Sequence, residues 1–290
     1  MNVRRMMAAL CVTLMVLPCF IASADGVDVA APFQLLSGQW QQGSLLRGKT
    51  DPEAQVWFNG RKLRLDAQGE FVFGLDRDAP AEAELKIQPP GAAAPQVLHY
   101  QVARRDYKIA RINGLPPKMV TPPAALTARI ENDQREAREA RDHDSDLEGF
   151  TQAFIWPAEG RISGVFGSQR ILNGEPRQPH YGVDVAVPIG TPVRAPADGV
   201  VTLAAKDMYY TGGTLMIDHG HGVASTFLHL SKLRVKLGDV VKQGQIIAES
   251  GMSGRATGPH LDWRVSWFQS RVDAQLLVPA MPGSKQKRRK

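Results

Sequence analysis

The chain has 290 residues, 43% of them hydrophobic and 22% charged, with 35 Lys and Arg against 29 Asp and Glu for a formal net charge of +6. This is the composition of an ordinary globular protein with room for one large or two modest domains. No stretch interleaves aromatic with basic residues, which excludes nucleic acid as a partner.

Met1–Arg5 carries two arginines, Met6–Ile21 is mostly apolar, and Ala22-Ser23-Ala24 supplies a small-x-small cleavage pattern. Residues 1–24 therefore read as a secretory signal peptide that is removed on export. The apolar run is short for a bilayer span and contains Pro18, so no stable membrane insertion is expected after cleavage. Both cysteines, Cys11 and Cys19, fall inside this segment. The mature chain then has neither disulfides nor thiol chemistry. In the periplasm or cell envelope its stability must come from its core alone.

Residues 25–110 read as a small, immunoglobulin-like β-sandwich. Val56-Trp57-Phe58 and Leu63-Arg64-Leu65 flank Asn59-Gly60, the dipeptide of two-residue hairpin turns. Asp66-Ala67-Gln68-Gly69 turns the chain into Glu70-Phe71-Val72-Phe73, and alternation resumes at Leu85-Lys86-Ile87 and Val97–Val102. Nothing in this unit suggests chemistry. Residues 111–150 read as a linker with Pro116-Pro117 and Pro122-Pro123 near its start. Thr121 is its expected N-cap, and Ala124–Arg141 reads as a charged helix with a thin stripe of Leu126, Ile130 and Ala137. His143, in the Asp/Ser-rich exit, is expected to face solvent.

From Phe154 onward, short β-rich runs are punctuated by glycine: Gly182–Val187, Gly199–Leu203, Thr214–Asp218, Ala224–Leu230 and Gln245–Ala248. Residues 151–278 therefore read as a compact antiparallel β domain. Residues 279–290 form a basic tail suited to weak attraction by anionic envelope components.

Three histidines and two aspartates of the second domain could carry chemistry: His180, Asp184, His229, His260 and Asp262. Zinc binds imidazole nitrogen and carboxylate oxygen, and a catalytic site needs about three such ligands plus an open position. In Pro259–Val265, strand alternation puts His260, Asp262 and Arg264 on one face and Leu261, Trp263 and Val265 on the other. The same alternation puts His229 on the face of Phe227, where alone it reads as a half-buried structural histidine. His219-Gly220-His221 falls at a turn, and both histidines are expected at the surface.

As a set, His180-Tyr181-Gly182-Val183-Asp184, Gly190–Pro196, Asp198-Gly199-Val200-Val201, His229-Leu230-Ser231 and Gly258-Pro259-His260-Leu261 resemble the lysostaphin-type (LytM-like) zinc metalloendopeptidases. The resemblance spans about Trp156–Trp267. It implies a mostly β fold whose C-terminal antiparallel sheet carries one zinc ion in a groove. It further implies that His180 and Asp184 are zinc ligands and that His229 and His260 are the catalytic pair. The family's third ligand is the second histidine of a His-x-His pair, and that position is Asp262. The family usually has an acidic residue where this chain has Arg264. Aspartate is a competent zinc ligand, but two carboxylates and one imidazole neutralise the dication, so its water is acidified less. Carboxylates also suit harder ions such as manganese. Arg170, Arg177 and Tyr210 are candidates for substrate contact.

The function implied is an exported zinc-dependent endopeptidase that cuts peptide cross-links of peptidoglycan, with envelope proteins as further partners. The alternative is a catalytically degenerate domain that binds peptidoglycan or activates another hydrolase. Val193–Val201 and Gly238–Ala248 also resemble biotinyl and lipoyl carrier domains, but no Met-Lys-Met type turn stands between them. N-terminal sequencing of the mature protein is expected to begin at Asp25, and a cytosolic species retaining Met1 would contradict the export signal.

Overall fold

The computed structural model describes residues 32–112, 124–172 and 174–283. The expected signal segment, the expected Thr121 cap and the Lys285–Lys290 cluster lie outside the described residues. Seven short strands come first: β1 (Gln34–Ser37), β2 (Leu45–Lys49), β3 (Gln55–Phe58), β4 (Arg61–Leu63), β5 (Glu70–Gly74), β6 (Glu82–Gln88) and β7 (Gln96–Gln101). They form two antiparallel sheets, ordered β1-β2-β5 and β4-β3-β6-β7. In β6 the alternation is direct: Ala83, Leu85 and Ile87 are buried, whereas Lys86 is half-buried. Asn59 and Gly60 join β3 to β4 with φ of 45° and 82°, the left-handed pair that a tight hairpin turn needs. Phe58 and Phe73 stack with ring centroids 4.4 Å apart at the centre of this unit.

β8 (Ile109–Ile112) is followed by α1 (Thr127–Glu139), which a single 3-10 turn at Ala124–Leu126 precedes. Ile130 is the one buried residue of α1, so the apolar stripe is as thin as expected. Polar contacts dock the helix instead. Asp133 accepts a 2.7 Å hydrogen bond from the Tyr209 N–H, and Arg129 pairs with Asp207 at 2.8 Å.

The remaining strands are β9 (Arg161–Gly164), β10 (Gln169–Leu172), β11 (Glu175–Pro176), β12 (Val183–Ala186), β13 (Pro192–Arg194), β14 (Gly199–Met208), β15 (Gly212–Gly220), β16 (Val223–Leu230), β17 (Lys232–Leu233), β18 (Val240–Val241), β19 (Ile246–Glu249), β20 (Leu261–Trp267) and β21 (Ser270–Val272). An antiparallel sheet in the order β18-β14-β15-β16-β20-β12-β9, with β21 on the edge of β20, dominates this part. Val183, Val185, Phe227, Leu261, Trp263 and Val265 are all fully buried on its core face. Each such side chain contributes roughly 1.5–3 kcal/mol through area removed from water. The expected β architecture is therefore present in both parts of the chain.

Two local expectations are corrected. His219 and His221 are not at the surface; they are 0% and 5% exposed. The chain entering the domain folds over them, with Phe154 edge-on to His219 and Phe150 stacked on His221. Nor does His229 share a face with Phe227. Register slips between Gly213↔Leu230 and Leu215↔Phe227, so β16 holds one extra residue there, and His229 has φ of 61°. That bulge breaks the alternation. Phe227 stays in the core opposite Trp263, while the His229 ring meets that of His260.

His219 hydrogen-bonds the Asp198 carbonyl at 2.7 Å and Ser225 Oγ at 2.9 Å. Burial, the dominant cause, lowers its pKa to about 4. The unfolded chain then binds the extra proton near pH 6.5, so stability falls as pH drops from about 6.5 to about 4, by ~3 kcal/mol in all. Thermal melts across that range are expected to show this slope in the wild type and a shallower one in His219→Gln.

Candidate metal centre

Antiparallel pairing of β12 with β20 sets Asp184 directly opposite Asp262. Their strand neighbours Val183, Val185, Leu261 and Trp263 fill the core, so both carboxylates project from the other face. His180 enters from the loop before β12. Its N–H donates to the Ser168 carbonyl, and its own carbonyl accepts from the Gly167 N–H, both at 2.8 Å. His180 Nε2 lies 3.2 Å from Asp184 Oδ1, and its Nδ1 lies 4.0 Å from Asp262 Oδ2. One donor atom from each of the three residues falls within 4.8 Å of the others. Two glycines make room for them: a Cβ on Gly164 would collide with the Asp184 carboxylate, and one on Gly182 with Asp262 Oδ1.

His229 and His260 complete the cluster. Their ring centroids are 4.8 Å apart, and His260 Nε2 is 3.9 Å from Asp184 Oδ1. His260 Nδ1 is 2.7 Å from the Gly258 carbonyl, and His229 Nδ1 is 2.8 Å from the Ser253 carbonyl. A carbonyl only accepts, so each neutral ring carries its proton on Nδ1 and leaves Nε2 with a free lone pair. Both histidines are thus oriented as bases by backbone oxygens.

The charges around Asp262 decide what the cluster can hold. Asp262 is 2% exposed, and Arg264 grips it, with Nε 3.0 and 3.1 Å from the two oxygens and Nη2 2.6 Å from Oδ2. Burial, the largest single influence, pushes this carboxyl up, but Arg264 together with His180 and His229 holds it below the ordinary carboxylate range. His180 is raised overall: burial pulls it down, and its two carboxylate neighbours outweigh that. His229 is lowered, chiefly by burial.

The residues present fit a metal ion. His180 Nε2 and Asp184 Oδ1 are both buried and, although within ion-pair reach of each other and Oδ1 also of His260 Nε2, neither makes a hydrogen bond among the described residues. Buried polar atoms are rarely left this way without a ligand. Two carboxylates directly opposite on paired strands also repel unless positive charge stands between them. One imidazole nitrogen and two carboxylate oxygens are a donor set that zinc accepts. The Arg264 grip does not exclude ligation by Asp262, since ligating carboxylates are commonly hydrogen-bonded in turn.

The structure brings together His180, Asp184, His229, His260 and Asp262. Tyr210 stands apart on the β14–β15 turn, its ring 4.2 Å from the Arg255 guanidinium. The neighbouring Thr211 carbonyl accepts the His229 N–H at 2.9 Å, so this turn borders the cluster. Arg170 and Arg177 lie on the β10–β11 hairpin, joined by a 2.8 Å backbone hydrogen bond. Sequence reasoning missed Ser253. It acts through a backbone carbonyl, which every residue type carries, so no residue pattern could have marked it.

Residues 178–274 match Peptidase family M23. Over 115 residues the chain is 42% identical to the peptidoglycan DD-endopeptidase ShyA of Vibrio cholerae, a match covering 39% of this chain and 26% of that relative. It is 46% identical over 96 residues to ShyB of the same organism, covering 33% of this chain and 22% of that relative. The matches thus span about a quarter of the length of these two relatives. The crystal structure of a Pseudomonas aeruginosa chain assigned to peptidase M23 overlays with a TM-score of 0.64 at 29% identity, covering 83% of this chain and 95% of that one.

Removing the Arg264 guanidinium would strand a buried carboxylate, a change that costs about 3–5 kcal/mol. Arg264→Gln is therefore expected to lower the melting temperature of the metal-free protein by several degrees, with added zinc recovering much of the loss. An unchanged melting temperature would show that the ion pair is not the support of Asp262.

Proposed function

Starting from a peptidase M23 domain of the lysostaphin type over residues 178–274, we propose that this chain is an exported zinc-dependent endopeptidase that hydrolyses peptide cross-links of peptidoglycan. The observation that carries the reading is the convergence of His180, Asp184 and Asp262, two of whose buried donor atoms make no hydrogen bond among the described residues, beside two histidines whose Nδ1 atoms are held by backbone carbonyls. The similarity to peptidoglycan DD-endopeptidases supports peptidoglycan as the substrate class.

His180, Asp184 and Asp262 hold the ion. When bound, zinc supplies Lewis-acid polarisation of the scissile carbonyl and lowers the pKa of a water. His260 or His229 takes the water's proton at Nε2, since Nδ1 of each is already committed to a carbonyl. The protonated ring then presents an Nε2–H that steadies the tetrahedral oxyanion and can return the proton to the leaving amine. Burial helps to keep His229 neutral before reaction. Arg264 holds Asp262 in place and returns one positive charge to a cluster that two carboxylates have neutralised.

A second reading, a binding module without activity, draws on the same ion pair, because Arg264 gives Asp262 a partner other than a metal. Alanine substitution separates the two. His180→Ala, Asp184→Ala and Asp262→Ala are expected to lose zinc and activity on purified peptidoglycan together. His229→Ala and His260→Ala are expected to keep zinc and lose at least ~10²-fold in rate. Full zinc retention by Asp262→Ala, with no cleavage by the wild type, would favour the binding module.

A further inference from the structure

Beyond the metal centre, the same face of β20 runs into three arginines. Arg264 and Ser266 follow Asp262 at two-residue steps, so all three share that face. Across the β20–β21 ladder Ser266 pairs with Arg271, which places Arg271 on the face as well. Arg141 arrives from the linker exit, 7% exposed, and among the described residues its guanidinium hydrogen-bonds only Gln269 Oε1, at 3.3 and 3.4 Å. The Arg264 donors Nε and Nη2 are engaged by Asp262.

The Arg271 guanidinium makes no hydrogen bond or ion pair among the described residues and lies 5.7 Å from the Tyr181 ring centroid. Asp76 is near, its Oδ2 accepting the backbone N–H of Arg271 at 2.8 Å, and its charge offsets only part of what burial costs the guanidinium. Burial first and neighbouring guanidinium charge second pull Arg141 down to about 9 and Arg271 to about 10. The second observation is Ser266, 1% exposed, whose buried Oγ has no hydrogen-bond partner. Like charges gathered in a half-buried place, with an orphaned hydroxyl among them, destabilise a fold unless an anion joins them.

We propose that Arg141, Arg264, Ser266 and Arg271 form a subsite for a carboxylate of the peptide substrate. This inference rests on the proposed peptidase function, which places the scissile bond at the metal centre. At about 3.3 Å per residue, Arg264 and Ser266 lie roughly 7 and 13 Å along β20 from Asp262. An extended peptide would therefore present the recognised carboxylate two to four residues from the bond that is cut. Tyr181 and Arg271 stand at the partly exposed mouth of the subsite.

The test uses the mature chain, zinc-loaded and chelator-treated, titrated with acetyl-Lys-D-Ala-D-Ala as the free acid, with its carboxamide, and with inorganic phosphate. The free acid is expected to bind at least about ten-fold more tightly than the amide, as a charge-assisted hydrogen bond would give. That preference should persist without zinc, vanish in Arg271→Gln and survive in part in Arg271→Lys. Arg271→Gln should also melt no lower than the wild type, because it removes repulsion rather than support.

A preference that follows zinc and ignores Arg271 would overturn the subsite, as would phosphate binding more tightly than the acid. A lower melting temperature for Arg271→Gln would mark the cluster as structural and equally overturn it. Failure of the peptidase reading would show separately, as absent zinc in the zinc-loaded wild type.

Discussion

The register between β12 and β20 is the constraint on which the rest depends. It sets Asp184 opposite Asp262 and, in the same ladder, Val183 opposite Trp263 and Val185 opposite Leu261. A slip of one residue would turn the carboxylates into the core and the apolar residues into the groove. Fully buried Trp263, with Trp156 edge-on at 5.8 Å, makes such a slip costly. Core packing therefore fixes the geometry of a polar cluster that, by itself, would push apart.

Electrostatics completes what register begins. Two carboxylates, a half-buried guanidinium and three imidazoles lie close together. Arg264 keeps Asp262 ionised despite its burial. Backbone carbonyls at Gly258 and Ser253 select the tautomers of His260 and His229. Positive charge then accumulates on one face of the β20–β21 pair, at Arg264 and Arg271. This is where the molecule differs most from a neutral polar groove and where an anionic group would be drawn.

Much of this was legible in the sequence, because strand alternation is a short-range signal. The pattern Leu261-Asp262-Trp263-Arg264-Val265 told which side chains meet the core, and Asn59-Gly60 told where a hairpin turns. His229 was not placed correctly by the same rule. A bulge depends on how two strands register, and a positive φ at a histidine leaves no mark in the order of residues. The burial of His219 and His221 has no local signal, because Phe154 and Phe150 cover them from a segment distant in the chain, a tertiary fact that no local window contains. The role of Arg271 was equally hidden, since the pairing of β21 with β20 creates its surroundings.

In the proposed site, Asp262 completes the metal's ligands in place of an imidazole. Zinc K-edge absorption spectroscopy on the zinc-loaded mature protein, beside Asp262→His, tests this ligation most directly. One imidazole and two carboxylate oxygens at roughly 2.0–2.2 Å are expected in the wild type, with a second imidazole appearing in the variant. A wild-type spectrum already showing two imidazoles, or one unchanged by Asp262→His, would contradict it.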